Sequence, residues 1–168
     1  MSPSIVHRNR GYVTGTILLF SLCLWVPAHT FAAIRTASTS GYWTNAATWD
    51  TIPGADDDAV INNAVTVTLD TATAPLNSLT NNGVLIFNGW SNAVMTSTWV
   101  QINGTVTHTT NTDQTGTPGV YTNWTPDSRV WIVCSNLTVA ASGKIDANGK
   151  GYVAGTPSGG NIVGRGPG

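Results

Sequence analysis

Three stretches of the chain, Leu79-Thr80-Asn81-Asn82-Gly83-Val84-Leu85, Val100-Gln101-Ile102-Asn103-Gly104-Thr105-Val106 and Val139-Ala140-Ala141-Ser142-Gly143-Lys144-Ile145, superimpose on a central glycine. Each carries an aliphatic residue four positions before the glycine and another two positions after it. Gly83 and Gly104 are 21 residues apart, and Gly104 and Gly143 are 39 apart, which is either two periods or one period with a long loop. A repeat of about 20 residues, made of short apolar strands and Gly/Asn corners, predicts a solenoid of parallel strands. In such a coil equivalent residues of successive turns stack about 4.8 Å apart, so Leu85, Val106 and Ile145 should share one interior column. The glycines are expected where the chain turns with positive φ, and Asn82 and Asn103, each just before its glycine, fit a ladder at that corner.

Working outward, Val60-Ile61 and Val65-Thr66-Val67-Thr68-Leu69 alternate as a half-buried strand does and form a less regular copy, so the coil is expected to start near Ala59 and run over 59–150. The Thr-, Asn-, Gly- and Pro-rich stretch 107–127 breaks the period and reads as a loop inserted in the coil. Closely spaced strands also suit an antiparallel sandwich, but that fold gives no reason for a glycine to recur three times in one phase. Upstream, over 33–58, Trp43 and Trp49 stand six residues apart and read as an apolar lid on the first turn, with sugar stacking as their other use. Downstream, the Gly-rich segment 151–168 offers little apolar material to close a coil, so the sequence reads as the opening portion of a longer protein or as a coil covered by a partner.

The order Trp43, Thr48-Trp49, Pro53, Asp57, Val60-Ile61 and Val65 to Asp70 resembles the start of large secreted or surface β-helix proteins of bacteria, autotransporter-like passengers and G8-like modules among them. Asn136 to Val139 followed by Gly143 to Tyr152 is similar to a rung and the glycine-rich loop of such proteins. The resemblance implies a right-handed parallel β-helix, export, and a scaffold or adhesive role.

Composition agrees with the all-β reading. The 168 residues contain no Glu, only 9% are charged, and Thr, Asn, Gly, Val and Ala recur, a mixture that favours strands and turns over helices. A formal net charge of −1 excludes a nucleic-acid binder that works through a basic surface. Residues 1–32 have the three parts of a cleavable signal peptide: His7, Arg8 and Arg10, then apolar Ile17 to Val26, then Thr30 and Ala32 before the cut. That apolar run falls short of the roughly 20 residues a membrane helix needs, so secretion or display at the cell surface is expected, with no membrane span after cleavage. Loss of Arg8 and Arg10 leaves five basic against eight acidic residues. Cys23 leaves with the signal, and Cys134 is then a lone cysteine in an apolar run, read as a small buried hydrophobe.

Chemistry-bearing residues are sparse. Asp56-Asp57-Asp58 form the one acidic cluster and could offer oxygens to Ca²⁺, although neighbouring side chains on an extended chain point to opposite faces and a solvated turn is the simpler reading. Lys144, Asp146 and Lys150 are the best trio for a lyase, yet Lys144 and Asp146 flank Ile145, which should be buried, and so belong to a solvated outer face. Trp90, Tyr121 and Trp124 sit in expected loops, where flat rings can stack on sugars. A polysaccharide or other cell-surface component is therefore the expected partner, and a polysaccharide-binding or polysaccharide-cleaving β-helix is the alternative to a purely structural one.

Overall fold

The computed structural model describes residues 32–111 and 127–151. Every described element is a β-strand, turn or bend, and none is a helix. Among the described residues the strands are β1 (Ile34–Ala37), β2 (Gly41–Tyr42), β3 (Asp58–Ile61), β4 (Thr66–Leu69), β5 (Leu76–Asn81), β6 (Val84–Phe87), β7 (Met95–Ile102), β8 (Thr105–His108), β9 (Ile132–Val139) and β10 (Lys144–Ile145). Odd-numbered strands form one five-stranded sheet in the order β1-β3-β5-β7-β9, and even-numbered strands form a second in the order β10-β8-β6-β4-β2. All pairings between strands are parallel. An antiparallel sandwich is thereby excluded. The chain alternates between the sheets, adding one strand to each in turn, and β1 and β2, which fall in the segment read as a lid, provide the first strand of each.

Register follows the glycine repeat. Val67, Leu85, Val106 and Ile145 stand opposite one another in successive even strands, and the first three are fully buried. In the odd sheet Ala59, Leu79, Val100 and Leu137 make one inward column, and Ile61, Asn81, Ile102 and Val139 make the next. Val139 is therefore opposite Ile102, not Val100: the last corner, closed by Gly143 N–H donating to the Ala140 carbonyl, holds two more residues than the corners at Gly83 and Gly104. A slip of two leaves every side chain on its own face. Because β8 pairs directly with β10 and β7 with β9, the 39-residue interval is one turn carrying a long insertion.

The corner glycines are there for a different reason from the expected one. Positive φ occurs at Asp56, Ala64, Gly89 and Gly149, but at none of Gly83, Gly104 and Gly143. A Cβ on Gly104 would overlap the Gly83 carbonyl oxygen and lie 2.8 Å from both the carbonyl carbon and oxygen of Asn82; one on Gly143 would overlap the Ile102 carbonyl. Stacked backbone, with Thr105 N–H donating to Gly83 O at 2.8 Å and Lys144 N–H to Gly104 O at 2.9 Å, leaves no room for a side chain. The expected asparagine ladder is present: Asn103 Nδ2 donates to Asn82 Oδ1 at 2.8 Å.

Period-2 alternation fails at one place in the odd sheet, in the same way on three successive strands. Leu76 and Leu79, and likewise Ser97 and Val100, are buried three residues apart, with Asn77-Ser78 and Thr98-Trp99 between them turned outward. On β9 Cys134 packs on the core and Ser135-Asn136 are exposed in the equivalent positions. The sheet bends there. Ser97 Oγ bridges the bend by donating to the Trp99 carbonyl at 2.9 Å.

The two ends of the sheets differ. Trp43 and Trp49 are buried in the core, edge to face with ring centroids 4.7 Å apart, and the Trp49 indole N–H donates to the Trp43 carbonyl at 2.9 Å. At the other end β9 and β10 each have, among the described residues, a parallel neighbour on one side only. Their inward-column residues Leu137, Val139 and Ile145 are 45–46% exposed. Ile145, expected to be buried, is 46% exposed and is the last member of its column among the described residues.

Candidate functional site

The site suggested by the loop aromatics is partly described. Trp90 follows β6, two residues after Asn88, whose N–H is tied to the Leu69 carbonyl. The Arg129 guanidinium carbon lies 4.7 Å from the Trp90 ring centroid and 3.8 Å from that of Trp131, and Arg129 Nε donates to the Trp90 carbonyl at 2.8 Å. These contacts tie the exit of the long insertion to the turn after β6, through cation–π attraction and one hydrogen bond. Trp90 thus holds structure together with at least part of its surface. Tyr121 and Trp124 lie outside the described residues.

The acidic cluster is drawn apart by its partners. Asp57 is buried and accepts from Arg35 Nε (2.9 Å), Gly54 N–H (2.9 Å) and Ala33 N–H (3.2 Å). The Gly54 amide and then the Arg35 guanidinium stabilise its charged form and hold its carboxyl below the usual carboxylate range. Asp58 turns to the opposite side, accepting from Asn77 Nδ2 at 2.7 Å and Ser78 Oγ at 2.6 Å. Asp56 takes positive φ and its N–H donates to the Pro75 carbonyl. The three carboxylates do not converge, and among the described residues no group of three or more His, Cys, Asp or Glu side chains is arranged to hold a metal ion.

Lys144 and Asp146 form an exposed ion pair at 3.0 Å on the outer side of the last turn. The Asn148 backbone N–H, and then Lys144, keep the Asp146 carboxyl low. On the turn below, Thr107 Oγ1 donates to the Asp146 backbone carbonyl at 2.6 Å, so no second carboxylate faces Asp146 across the stack. His108 is buried and its Nδ1 lies 2.7 Å from the Thr109 carbonyl. Cys134 is half-buried against the core and unpaired by any disulfide. Trp43 and Trp49 are enclosed, which removes them as sugar platforms.

One aromatic residue escaped the sequence reading. Trp99, in the middle of β7, is 56% exposed on the convex side of the bend. The sequence carries its signal: Val100, the repeated aliphatic four positions before Gly104, belongs to the interior, which turns residue 99 outward. Its column runs through Asp58, Ser78, Trp99 and Asn136.

Comparison with known families finds one likeness: residues 43–118 match the model of the G8 domain. That span holds β3 through β8, three strands of each sheet. Of the two groups suggested by the resemblance, it is the G8-like module that this match supports. No curated protein and no solved structure matches the chain.

Proposed function

We propose that the chain is an exported, non-catalytic structural module, a right-handed parallel β-helix with a tryptophan lid at one end and a joining surface at the other. The observation that carries this reading is the inequality of the two ends. One buries Trp43 and Trp49, while the other leaves Leu137, Val139 and Ile145 nearly half exposed along strands that, among the described residues, are paired on one side only. Such an edge, lined with apolar residues already in column, accepts further strands that continue both sheets. Right-handed winding follows from the strong preference of parallel crossover connections for that hand. Export rests on the signal-like residues 1–32, and the G8 likeness over residues 43–118 fits a module within a larger surface assembly. Among the described residues no helix is long and apolar enough to cross a membrane.

Two measurements test the reading. The amino terminus of the exported protein should begin at Ala33. Sedimentation velocity should show concentration-dependent self-association, with binding of a hydrophobic dye, both abolished by Leu137→Asn together with Val139→Asn. A wild-type chain that stays monomeric and binds no dye at any concentration would sink the joining surface. Polysaccharide binding is retained as a second reading because of Trp99 alone.

A further inference from the structure

We infer that the convex bend of the odd-numbered sheet is a binding strip for a neutral polysaccharide, with Trp99 as the stacking platform. This inference builds on the polysaccharide-binding reading and does not use the exposed Leu137, Val139 and Ile145 of the joining surface, so its failure leaves the structural proposal standing.

The placement of Trp99 is the first argument. The other tryptophans of the described residues are engaged: Trp43 with Trp49, and Trp90 and Trp131 with Arg129. Trp99 makes no ring contact of this kind, its indole N–H has no hydrogen-bond partner among the described residues, and more than half of it faces solvent. It does not stand on a loop. Parallel neighbours fix its strand on both sides, with Trp99 opposite Ser78 on β5 and Asn136 on β9. A flat, amphipathic ring held at a rigid position presents an apolar face at little conformational cost.

The surroundings are the second argument. Because the bend turns two consecutive residues outward on each strand, Trp99 is bordered by Ser78, Thr98, Ser135 and Asn136, all short hydrogen-bonding side chains. Below Ser78 stands Asp58, whose carboxylate accepts from the Ser78 hydroxyl and from Asn77. Hydroxyls and amides around an exposed indole are the groups that a sugar requires: its C–H face lies on the ring and its hydroxyls exchange hydrogen bonds with the rim. Rungs about 4.8 Å apart repeat these donors and acceptors at a spacing near the length of one sugar ring, so an extended chain lying across the rungs can meet them in succession.

Charge selects the class of polysaccharide. The strip contains one carboxylate, Asp58, and no cation; Arg35 is committed to Asp57, and Lys144 to Asp146 on the other sheet. A polyuronate or sulfated chain would meet repulsion with nothing to offset it. A neutral glycan meets none.

The test uses the full secreted chain in affinity electrophoresis and pull-down against cellulose, xylan, mannan and β-1,3-glucan, with polygalacturonate and dextran sulfate as anionic probes. Binding to at least one neutral polysaccharide is expected, weakened about tenfold or more in Trp99→Ala and largely kept in Trp99→Tyr. Because Trp99 is exposed, its replacement should leave the unfolding midpoint nearly unchanged, which separates lost binding from lost fold. The inference is overturned if the wild type binds none of the neutral probes, if it prefers the anionic ones, or if Trp99→Ala binds as well as the wild type.

Discussion

Replacing Gly104 with alanine adds a single methyl group, yet the stacked backbone makes it a severe change. The new Cβ would overlap the Gly83 carbonyl oxygen and sit 2.8 Å from two backbone atoms of Asn82. None of these is a flexible side-chain end, so the corner of one turn must lift away from the corner below. Three backbone hydrogen bonds cross that contact: Asn103 N–H and Gly104 N–H to the Asn81 carbonyl, each 2.9 Å, and Thr105 N–H to the Gly83 carbonyl at 2.8 Å. At about 1 kcal/mol net for each, their loss destabilises the protein by about 3 kcal/mol before any loosening of Val106 is counted. For a domain of this size that corresponds to a fall of about 12 °C or more in Tm. Two other glycines serve as controls. Gly149→Ala meets nothing within 4 Å but has φ +67°, and should cost about 1 kcal/mol through the left-handed backbone alone. Gly151→Ala meets nothing and has no positive φ, and should fall within about 0.5 kcal/mol of wild type. Urea unfolding of the three variants, followed by far-UV circular dichroism, gives the ranking. A Gly104→Ala variant no less stable than Gly149→Ala would refute the close-stacking explanation of the repeat.

The same stack makes position within a column decisive. Leu85→Ala, in the closed interior, should cost about 2–5 kcal/mol, whereas Ile145→Ala, in the same column but 46% exposed, should cost under about 1 kcal/mol; equal losses would mean that the end is covered in solution. Asp57 gives a pH signature. Its carboxyl is lowered in the folded chain, so its contribution is fully present above the unfolded value near 3.8 and disappears as the pH falls through the lower folded value. Wild type should therefore exceed Asp57→Asn in stability at neutral pH, by about 1–3 kcal/mol for the weakened acceptors, with the gap closing below about pH 4 in acid titrations of the unfolding midpoint. A gap independent of pH would assign the effect to packing instead of charge.

The candidate sites were less legible than the stack, for a reason visible in individual residues. Asp56, Asp57 and Asp58 are adjacent in sequence, but Arg35, from the first strand, and Asn77 and Ser78, from the third odd-sheet strand position, decide where the last two carboxylates point. Trp90 reads from sequence as a loop ring, but Arg129, 39 residues later, lies against it. Trp99 stands on a strand, not a loop, and its outward direction is implied by the inward Val100 beside it. Partners supplied by distant turns leave no local mark on the sequence; side-chain direction along a strand does.

By itself the sequence determined the all-β character, the parallel stacking signalled by three glycine-centred copies, the shared column of Leu85, Val106 and Ile145, and the Asn82–Asn103 ladder. These follow from local alternation and from the demand that like residues meet like residues when turns pile up. Only the tertiary structure decided that the 39-residue interval is a single turn, that Val139 faces Ile102, that the odd sheet bends beside Trp99, and that the glycines make room for backbone. Corner length and insertion size are free as long as the next strand returns to register. Burial depends on whether another turn lies above, and this is why Leu85 is closed and Ile145 open although both obey the same pattern.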